Sequence, residues 1–256
     1  MNDKTDSSKG DKTNPELPVA IVTGGAGGIG AACCRQLAKN GFSVGIHYRS
    51  SQAAAEKVLS AIGGKGFLLA ADLSDTDQVE NMVQQIKNIS KRVDVLVNNA
   101  GDSVNGPIAA MKMGDFDAQR AALRGAWFLT KRILRLFMLR RSEGRIINIS
   151  SVVGHTGNAG QIPYTMEKAA MDAMTKSLSK ELSGRNILVN SVAPGFIETN
   201  MTGKLPEDVK KKISENIPLG RIGRPEEVAE VVGFLATKGT YITGSVIHVN
   251  GGMYGG

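Results

Sequence analysis

A serine, a tyrosine and a lysine in the second half of the chain have the spacing of an acid–base site. Tyr164 and Lys168 are four residues apart, so on a helix they share one face and the ammonium lies near the phenol. A cation beside a phenol favours the phenolate, which makes the hydroxyl a better proton donor. Ser151 ends an apolar run thirteen residues before Tyr164 and could hydrogen-bond the same substrate oxygen. The three residues therefore predict general acid–base chemistry.

A glycine-rich segment near the start of the chain predicts a phosphate-binding loop. The apolar run 19–23 leads into Thr23-Gly24-Gly25-Ala26-Gly27-Gly28-Ile29-Gly30, and a helical pattern follows. Glycines allow a tight turn and let backbone N–H groups approach a pyrophosphate, while the helix N-terminus adds a partial positive charge. This strand–loop–helix order favours a dinucleotide site over a merely flexible turn.

The residues after the second apolar run favour NADP over NAD. An NAD site usually places an acid about 20 residues past the loop, where it binds the ribose 2′-hydroxyl. This chain has His47-Tyr48-Arg49-Ser50-Ser51 there, with no acid before Glu56. Arg49 and the two serine hydroxyls suit a 2′-phosphate, with an exposed loop arginine as the alternative.

Asp72 and Leu73, at the end of the third apolar run, extend the predicted cofactor site. The Asp72 carboxylate could accept a hydrogen bond from the adenine amino group. An aspartate in a turn or at a helix N-terminus is the alternative that the sequence leaves open.

Composition indicates a globular protein with a sizeable core. The 256 residues are 41% hydrophobic and 21% charged, a balance typical of folded chains. The two cysteines are neighbours, Cys33 and Cys34, which excludes a disulfide framework and a four-cysteine zinc site. No metal site is predicted, because the histidines lack ligand spacing, and His155 is interpreted as a solvated loop residue. Without a transmembrane or signal-like apolar run, the sequence predicts a cytoplasmic protein with no membrane partner.

Positive charge is concentrated in one window of the chain. The net charge is +7, and residues 120–145 contain eight basic residues and one acid. Four of them form a basic stripe on one side of a helix, namely Arg120, Arg124, Lys131 and Arg135. The stripe is either a solvated face or a contact surface. The window favours an acidic partner over nucleic acid, because its aromatic residues Trp127 and Phe128 are interpreted as core.

Short apolar runs alternate with helical patterns from residue 19 onward. The predicted strands are 19–23, 43–48, 66–70, 93–97, 145–149, 187–192 and 245–249. The predicted helices are 28–40, 52–62, 75–89, 115–140, 162–183, 206–216 and 225–237. Such alternation predicts an α/β protein with right-handed βαβ units and a parallel sheet covered on both faces. The polar extension 1–17 is expected to be mobile.

Taken together, these segments resemble the short-chain dehydrogenase/reductase family over roughly residues 18–254. The motifs that carry the resemblance are Thr23-Gly24-x-x-x-Gly28-x-Gly30, Asn98-Asn99-Ala100-Gly101, Ser151, Tyr164-x-x-x-Lys168 and Pro194-Gly195. The segments 144–154, 190–199 and 248–253 resemble the branch that reduces 3-oxoacyl thioesters on acyl carrier protein. The resemblance implies one Rossmann-type domain over 18–256 with a seven-stranded parallel sheet, NADP(H) as cofactor, and a homotetramer.

The resemblance also implies a role for each site residue. Tyr164 would protonate the carbonyl oxygen, Lys168 would hold the nicotinamide ribose and tune Tyr164, and Ser151 would orient the carbonyl. Ser150 is the competing serine, but the thirteen-residue spacing to Tyr164 favours Ser151. Further cofactor contacts are implied at Asn98, Ala100, Gly101, Pro194, Gly195, Ile197 and Thr199.

The resembled reductases act on an acyl carrier protein or another acyl thioester carrier, which is therefore the expected partner. Arg140, Arg141 and Arg185 are expected to dock its acidic surface near the mouth of the site. A different carbonyl or alcohol substrate is the alternative from the same family.

Position 122 departs from the family pattern. The family usually has an asparagine on the long helix before the serine, where it helps to hold a water chain to the lysine, and Ala122 stands there. On a helical projection Ala122 shares the apolar arc of Ala126 and Leu129 and is expected to face the sheet. Because alanine cannot hydrogen-bond, a weaker or water-filled proton relay is expected. This keeps a weakly catalytic NADP(H)-binding protein as a further alternative.

Overall fold

The computed structural model describes residues 17–199 and 206–255, and seven strands in them form one parallel sheet. The strands are β1 (Val19–Val22), β2 (Ser43–Tyr48), β3 (Gly66–Ala70), β4 (Val95–Asn98), β5 (Glu143–Ile149), β6 (Asn186–Pro194) and β7 (Val246–Val249). Their order across the sheet is β3-β2-β1-β4-β5-β6-β7. The predicted seven-stranded α/β fold is confirmed. The predicted extension, 1–17, lies outside the described residues except for Leu17.

Helices connect the strands and cover both faces of the sheet. They are α1 (Gly28–Lys39), α2 (Gln52–Ala61), α3 (Thr76–Ile89), α4 (Met113–Ile133), α5 (Val153–Thr156), α6 (Ile162–Glu181), α7 (Glu207–Glu215) and α8 (Pro225–Thr237). The long helix predicted over 115–140 continues past α4 as a π-helical segment, Leu134–Met138. Among the described helices, none combines the length and apolar character needed to cross a membrane.

Strand β1 shows how the core divides into two layers. Ala20 and Val22 pack into the cluster under α1, α2 and α8, whereas Val19 and Ile21 pack into the cluster under α3 and α4. Successive side chains of a strand point to opposite faces, so an unbroken apolar strand must be covered on both. This explains why β1 reads as a continuous apolar run.

The strand order reverses at β1, which lies between β2 and β4. At such a point the connections leave toward opposite faces, and a crevice opens outside the carboxyl ends of the strands. The loops that follow β1, β4 and β5 all leave the sheet at this edge. The fold therefore brings the glycine segment, the Asn98-Asn99-Ala100-Gly101 segment and Ser151 to one place.

Helix α4 differs from its predicted packing in two respects. Trp127 is 53% exposed and the Lys131 ammonium lies 5.4 Å from its ring centroid, so its predicted place in the core is wrong. Ala122 is half-buried, whereas Ala126 and Leu129 are buried as predicted. The physical reason is that α4 packs only one side against the sheet and α6. The four residues of the basic stripe are exposed on the other side.

Candidate active site

The loop between β1 and α1 is a backbone cradle that requires glycine. Gly24 and Gly28 have φ angles of +63° and +52°, in the left-handed region that favours glycine. A Cβ on Gly30 would lie 2.2 Å from the Gly24 carbonyl oxygen. Helix α1 has no side-chain cap and no acid in its first turn, so its N-terminal dipole is directed at the loop without a competing charge. This geometry fits a pyrophosphate.

Thr23 and Asn99 tie the cradle to the loop after β4. The Thr23 hydroxyl oxygen accepts the backbone N–H groups of Asn99 and Ala100 at 2.8 and 2.9 Å. The Asn99 amide donates to the Thr23 carbonyl at 2.8 Å. Asn99 is absent from the predicted contacts, because its role depends on the pairing of β1 with β4. The family motif that contains it is the signal that could have found it.

His47 holds the cradle from the opposite side. The Gly24 N–H donates to His47 Nδ1 at 3.0 Å, so Nε2 carries the proton and donates to the Ala71 carbonyl at 3.0 Å. Burial lowers the pKa of His47, although its bond to Ala71 and the charge of Asp72 act in the other direction. His47 is therefore held as a neutral imidazole. No metal or catalytic role is required to explain it.

Arg49 lies just past the carboxyl end of β2, at the edge of the sheet where ligands of such folds bind. Its side chain is 63% exposed and lies 3.4 Å from the Asp102 carboxylate.

Asp72 accepts hydrogen bonds from the Ser74 hydroxyl and N–H at 2.7 and 2.9 Å, which lower the pKa of Asp72. Asp72 thus stabilises a turn, which is the alternative role that the sequence left open for it. The neighbouring predicted contacts are half-buried or exposed, namely Tyr48, Ser50 and Leu73.

The two serines after β5 have different partners. The Ser150 hydroxyl donates to the Val192 carbonyl at 3.4 Å, and the Ser150 N–H donates to the same oxygen at 2.9 Å. Ser151 Oγ accepts the Val153 N–H at 3.4 Å, at the start of α5. Because the Ser150 hydroxyl is committed to the sheet, Ser151 is the better placed serine for a ligand.

Helix α6 carries Tyr164 and Lys168 on one face, as their spacing predicts. The Lys168 ammonium lies 5.3 Å from the centroid of the Tyr164 ring. It also donates to the Ile149 carbonyl at 3.4 Å, at the end of β5. Lys168 is buried whereas Tyr164 is half-buried. The cation is thus fixed behind a phenol that stays partly accessible.

A buried carboxylate that no motif predicts accompanies Lys168. Glu167 is 3% exposed, and its Oε1 lies 3.1 Å from the Lys168 ammonium. Its Oε2 accepts a hydrogen bond from the amide of Gln119 on α4, which is also 3% exposed. The signal is present in the sequence, since Glu167 lies four residues before buried Met171 and shares its side of α6.

Asn98 ends β4 with its side chain in the core rather than in the crevice. It is 1% exposed, and its amide donates to the Thr130 hydroxyl at 2.9 Å and to Asn148 Oδ1 at 2.8 Å. Asn148 in turn donates to the Thr175 hydroxyl at 2.7 Å. The cofactor contact predicted at Asn98 would therefore come from its backbone. The side chain joins β4, α4, β5 and α6 instead.

The segment after β6 closes the crevice from the other side. A Cβ on Gly195 would lie 2.7 Å from the Asn250 Cα, so only glycine fits between β6 and the end of β7. A Cβ on Gly28 would lie 3.3 Å from the Thr199 methyl carbon. Thr199 therefore lies against the phosphate loop, and Ile197 is buried beside it. These positions suit the cofactor contacts predicted for this segment.

His155 is packed rather than solvated, contrary to its interpretation from the sequence. Its Nε2 lies 2.9 Å from the carboxylate of Asp172, which is 3% exposed. Its ring stacks on Tyr254 at a centroid distance of 5.2 Å and meets His248 edge-on at 4.8 Å. Burial lowers the pKa of His248, with His155 acting in the same direction and Asp172 opposing. This cluster supports the short helix that follows Ser151.

The arginines predicted to dock a carrier lie at the other edge of the sheet. Arg140 and Arg141 precede β5 and Arg185 precedes β6, whereas Ser151 follows β5. Arg141 is committed to Asp94, at 2.7 Å. The two ends of parallel strands lie at opposite edges of the sheet. The expectation that these arginines flank the mouth of the site is therefore wrong for the site of the same chain.

Metal and thiol chemistry have no candidate site in the described part of the chain. No group of three or more histidine, cysteine, aspartate or glutamate side chains there could hold a metal ion. Cys33 and Cys34 are fully buried in α1, and burial raises the pKa of the Cys33 thiol to about 12. Neither thiol is positioned or ionised to act as a nucleophile.

Comparison with known proteins covers nearly the whole chain. A family model described as enoyl-(acyl carrier protein) reductase matches residues 24–254. A 3-oxoacyl-[acyl-carrier-protein] reductase FabG from Aquifex aeolicus is 45% identical over 241 residues, 92% of this chain and 97% of that protein. The proteins of the same name from Haemophilus influenzae and Staphylococcus aureus are 43% and 42% identical, over 92% of this chain and 98% and 97% of theirs.

Proposed function

This chain belongs to the short-chain dehydrogenase/reductase family, and we propose that it uses NADPH to reduce a 3-oxoacyl thioester to the 3-hydroxyacyl thioester. The relatives from Aquifex aeolicus, Haemophilus influenzae and Staphylococcus aureus carry that activity in their names. The observation that carries the proposal is the Tyr164–Lys168 pair. It lies at the edge of the sheet where the glycine cradle also opens.

The residues at this edge fit NADPH. The cradle around Gly24 and the N-terminus of α1 would hold the pyrophosphate. The exposed Arg49 guanidinium would hold the 2′-phosphate, since a planar guanidinium matches phosphate oxygens. Lys168 would hold the nicotinamide ribose. The distances within the cradle support this assignment, because a Cβ at Gly30 would collide with the Gly24 carbonyl and a Cβ at Gly24 would press on the loop after β4 at 3.0 Å.

In this proposal each catalytic side chain has one task. The chemistry supplied by NADPH, when bound, is a hydride for the carbonyl carbon. The Tyr164 hydroxyl gives its proton to the carbonyl oxygen, and the ketone becomes an alcohol. The Ser151 hydroxyl orients that oxygen by a hydrogen bond. The Lys168 ammonium stabilises the phenolate left on Tyr164, and its burial strengthens that interaction by excluding water.

Acyl carrier protein is the partner that the names of the relatives support. Since the docking arginines predicted from the sequence lie at the far edge of the sheet, we assign the carrier no contact on this chain. A cytoplasmic location is part of the same proposal, since the substrate would be presented by a carrier within fatty-acid synthesis.

We also propose a homotetramer. Large hydrophobic side chains are exposed on three separate helices, namely Trp127 on α4, Met166 on α6 and Phe234 on α8, at 53%, 53% and 44%. The resemblance to the family implies this assembly, and these side chains would be available for contacts between subunits. Light scattering should give about four times the chain mass of 27.1 kDa. A monomer in solution would contradict the proposal.

The activity is tested by following NADPH oxidation with matched substrates. Acetoacetyl-acyl-carrier-protein should be reduced in preference to a crotonyl thioester and to a panel of free ketones. A preference for the crotonyl thioester would indicate enoyl reduction, and a preference for a free ketone would indicate another family member's substrate. Either outcome would overturn the proposed substrate while leaving the family assignment intact.

The assignment of the acid is tested by Tyr164→Phe, which removes the hydroxyl and keeps the ring. Reduction should fall at least about hundredfold, because general acid catalysis contributes that much, while NADPH affinity stays within about twofold. Lys168→Ala should weaken both reduction and NADPH binding. Robust reduction by the Phe variant would show that another group supplies the proton.

A further inference from the structure

A buried charge pair, Glu167–Lys168, lies directly behind the proposed acid. The side chains are 2% and 5% exposed, and Glu167 Oε1 lies 3.1 Å from the Lys168 ammonium. The contact is electrostatic rather than a well-directed hydrogen bond. Two adjacent residues of one helix thus place opposite charges in the interior. Burying a charge is unfavourable unless a partner compensates it, so each of these charges depends on the other.

Gln119 fixes the carboxylate in place. Its amide nitrogen donates to Glu167 Oε2 and, at 2.7 Å, to the Asp102 carbonyl, while its amide oxygen accepts the Val104 N–H at 2.9 Å. Gln119 lies three residues before Ala122, so the amide is on the side of α4 where position 122 offers no hydrogen-bonding group. The pair is therefore anchored to α4 and to the loop after β4.

The pair lies where the predicted cofactor loop meets the catalytic helix. A Cβ on Gly101 would lie 3.2 Å from the Lys168 ammonium and 3.5 Å from Glu167 Oε1. The ammonium also contacts the Ile149 carbonyl and the Tyr164 ring. Glu167 Oε1 thus lies beside both the Lys168 ammonium and the Gly101 backbone. Because Glu167 is 3% exposed, it can position the lysine from the interior.

We propose that Glu167 is a positioning residue that acts through Lys168. Its carboxylate balances the charge of the ammonium and holds it in place beside the Tyr164 ring, and Gln119 holds the carboxylate. The inference rests on the proposed function, because it takes Lys168 as the residue that tunes Tyr164. Other ionisable groups on the elements packed around Lys168 include Tyr164 on its own helix, the Asp172–His155 pair of α6 and α5, and Asp102 in the loop after β4.

The decisive variant is Glu167→Gln, which keeps the side-chain shape and removes the charge. We expect kcat to fall about ten- to hundredfold, a fraction of a general acid–base contribution. We expect NADPH affinity, measured by fluorescence, to fall about three- to tenfold at neutral pH. The alkaline limb of the kcat profile should also shift, because the variant lacks the carboxylate charge 3.1 Å from the Lys168 ammonium.

Two variants serve as controls. Glu167→Asp keeps the charge on a shorter side chain and should recover more than half of the loss in kcat on a logarithmic scale. Glu181→Gln removes an exposed acid from the same helix, away from the pair, and should leave kcat, NADPH affinity and the pH profile unchanged. A purely structural pair would instead lower the melting temperature of Glu167→Gln while kcat and the alkaline limb stay unchanged, which would overturn the proposal.

A second variant decides the question if Glu167→Gln does not fold. Gln119→Met keeps both charges and removes only the amide that fixes the carboxylate, so kcat should fall about three- to tenfold. Unchanged kcat in the folded Met variant would overturn the proposal. If the unchanged protein reduces no 3-oxoacyl thioester, the proposed function fails. The charge effect of Glu167 is then still measured by NADPH affinity and its pH dependence, which separates the two failures.

Discussion

At the scale of single residues, Arg49 is the side chain that we expect to set the choice between the two nicotinamide cofactors. Its guanidinium is exposed at the end of β2, where NAD-specific sites place an acid. Arg49→Ala should lower the preference for NADPH over NADH by about ten- to hundredfold, since a charge-assisted contact contributes about 1.5–3 kcal/mol. Dissociation constants for both cofactors, measured by fluorescence, give this ratio.

The matched control is Arg35→Ala, which removes another half-exposed arginine, paired with Glu226 on the far side of α1. It should leave the ratio of the two dissociation constants unchanged. Equal affinity of the unchanged protein for NADPH and NADH would show that Arg49 does not contact a 2′-phosphate.

His47 makes the cradle sensitive to acid. Its Nδ1 accepts the Gly24 N–H, so protonation would place two N–H groups against each other. Burial lowers the pKa of His47 below the ordinary value of 6.5, so the native contact is complete above that pH and is lost as the pH falls through the lowered value. NADPH affinity should therefore decrease on acidification, and the decrease should be about fivefold larger than in a variant without this imidazole. The factor of about five corresponds to the free energy of one hydrogen bond.

The comparison is made with His47→Asn, which cannot titrate in this range. Both proteins share the titration of the 2′-phosphate of NADPH, so only the difference between their pH profiles reports on His47. Parallel profiles in the two proteins would mean that the imidazole does not control the cradle.

At the scale of elements, the β1–loop–α1 unit tolerates a methyl group at one glycine and not at another. A Cβ on Gly30 would lie 2.2 Å from the Gly24 carbonyl oxygen, whereas a Cβ on Gly27 would have no heavy atom within 4 Å. Gly27 also has an extended backbone, with φ of −163°, which any residue adopts. Gly30→Ala should lower NADPH affinity at least about tenfold, because α1 must move away from the loop.

Gly27→Ala is the matched control and should keep NADPH affinity within about twofold. Isothermal titration of both variants, with circular dichroism to check folding, makes the comparison. Equal affinities of the two alanine variants would show that the cradle is adaptable and that its close backbone contacts are not required.

At the scale of the whole molecule, Asp94 joins distant parts of the chain at the edge opposite the site. Its carboxylate accepts hydrogen bonds from the Val19 N–H at 2.8 Å and from Arg92 and Arg141 at 2.7 Å. Burial raises the pKa of Asp94, but these bonds outweigh it and hold the pKa below the ordinary value. The stabilisation is therefore present above pH 3.8 and is lost as the pH falls through the lowered pKa.

Asp94→Asn should lower the free energy of unfolding at neutral pH by about 1.5–3 kcal/mol, the range for hydrogen bonds to a charged group. The melting temperature should fall by about 2–4 °C per kcal/mol for a chain of this size. Toward the acid limit the two proteins should converge, because the unchanged carboxyl is then protonated. A constant difference in melting temperature down to that limit would contradict the ionic role of Asp94.

The sequence by itself predicted the sheet, the glycine cradle and the placement of Tyr164 and Lys168 on one face of a helix. Each of these depends on short-range spacing: apolar runs of strand length, glycines at fixed intervals before a helix, and Tyr164 one helical turn before Lys168. The local backbone geometry follows from such spacing. The interpretation of Trp127 as a core residue is wrong, because Trp127 lies off the arc of Ala126 and Leu129 that packs inward.

Only the tertiary structure decided which distant residues meet at the site. His47 and Gly24, Asn99 and Thr23, and Gln119 and Glu167 are brought together by strand order and helix packing. It also showed that the Asn98 side chain belongs to the core and that the three docking arginines lie at the far edge of the sheet. The physical reason is that contacts between elements depend on the topology of the fold. The sequence separation of two distant residues does not show whether they are in contact.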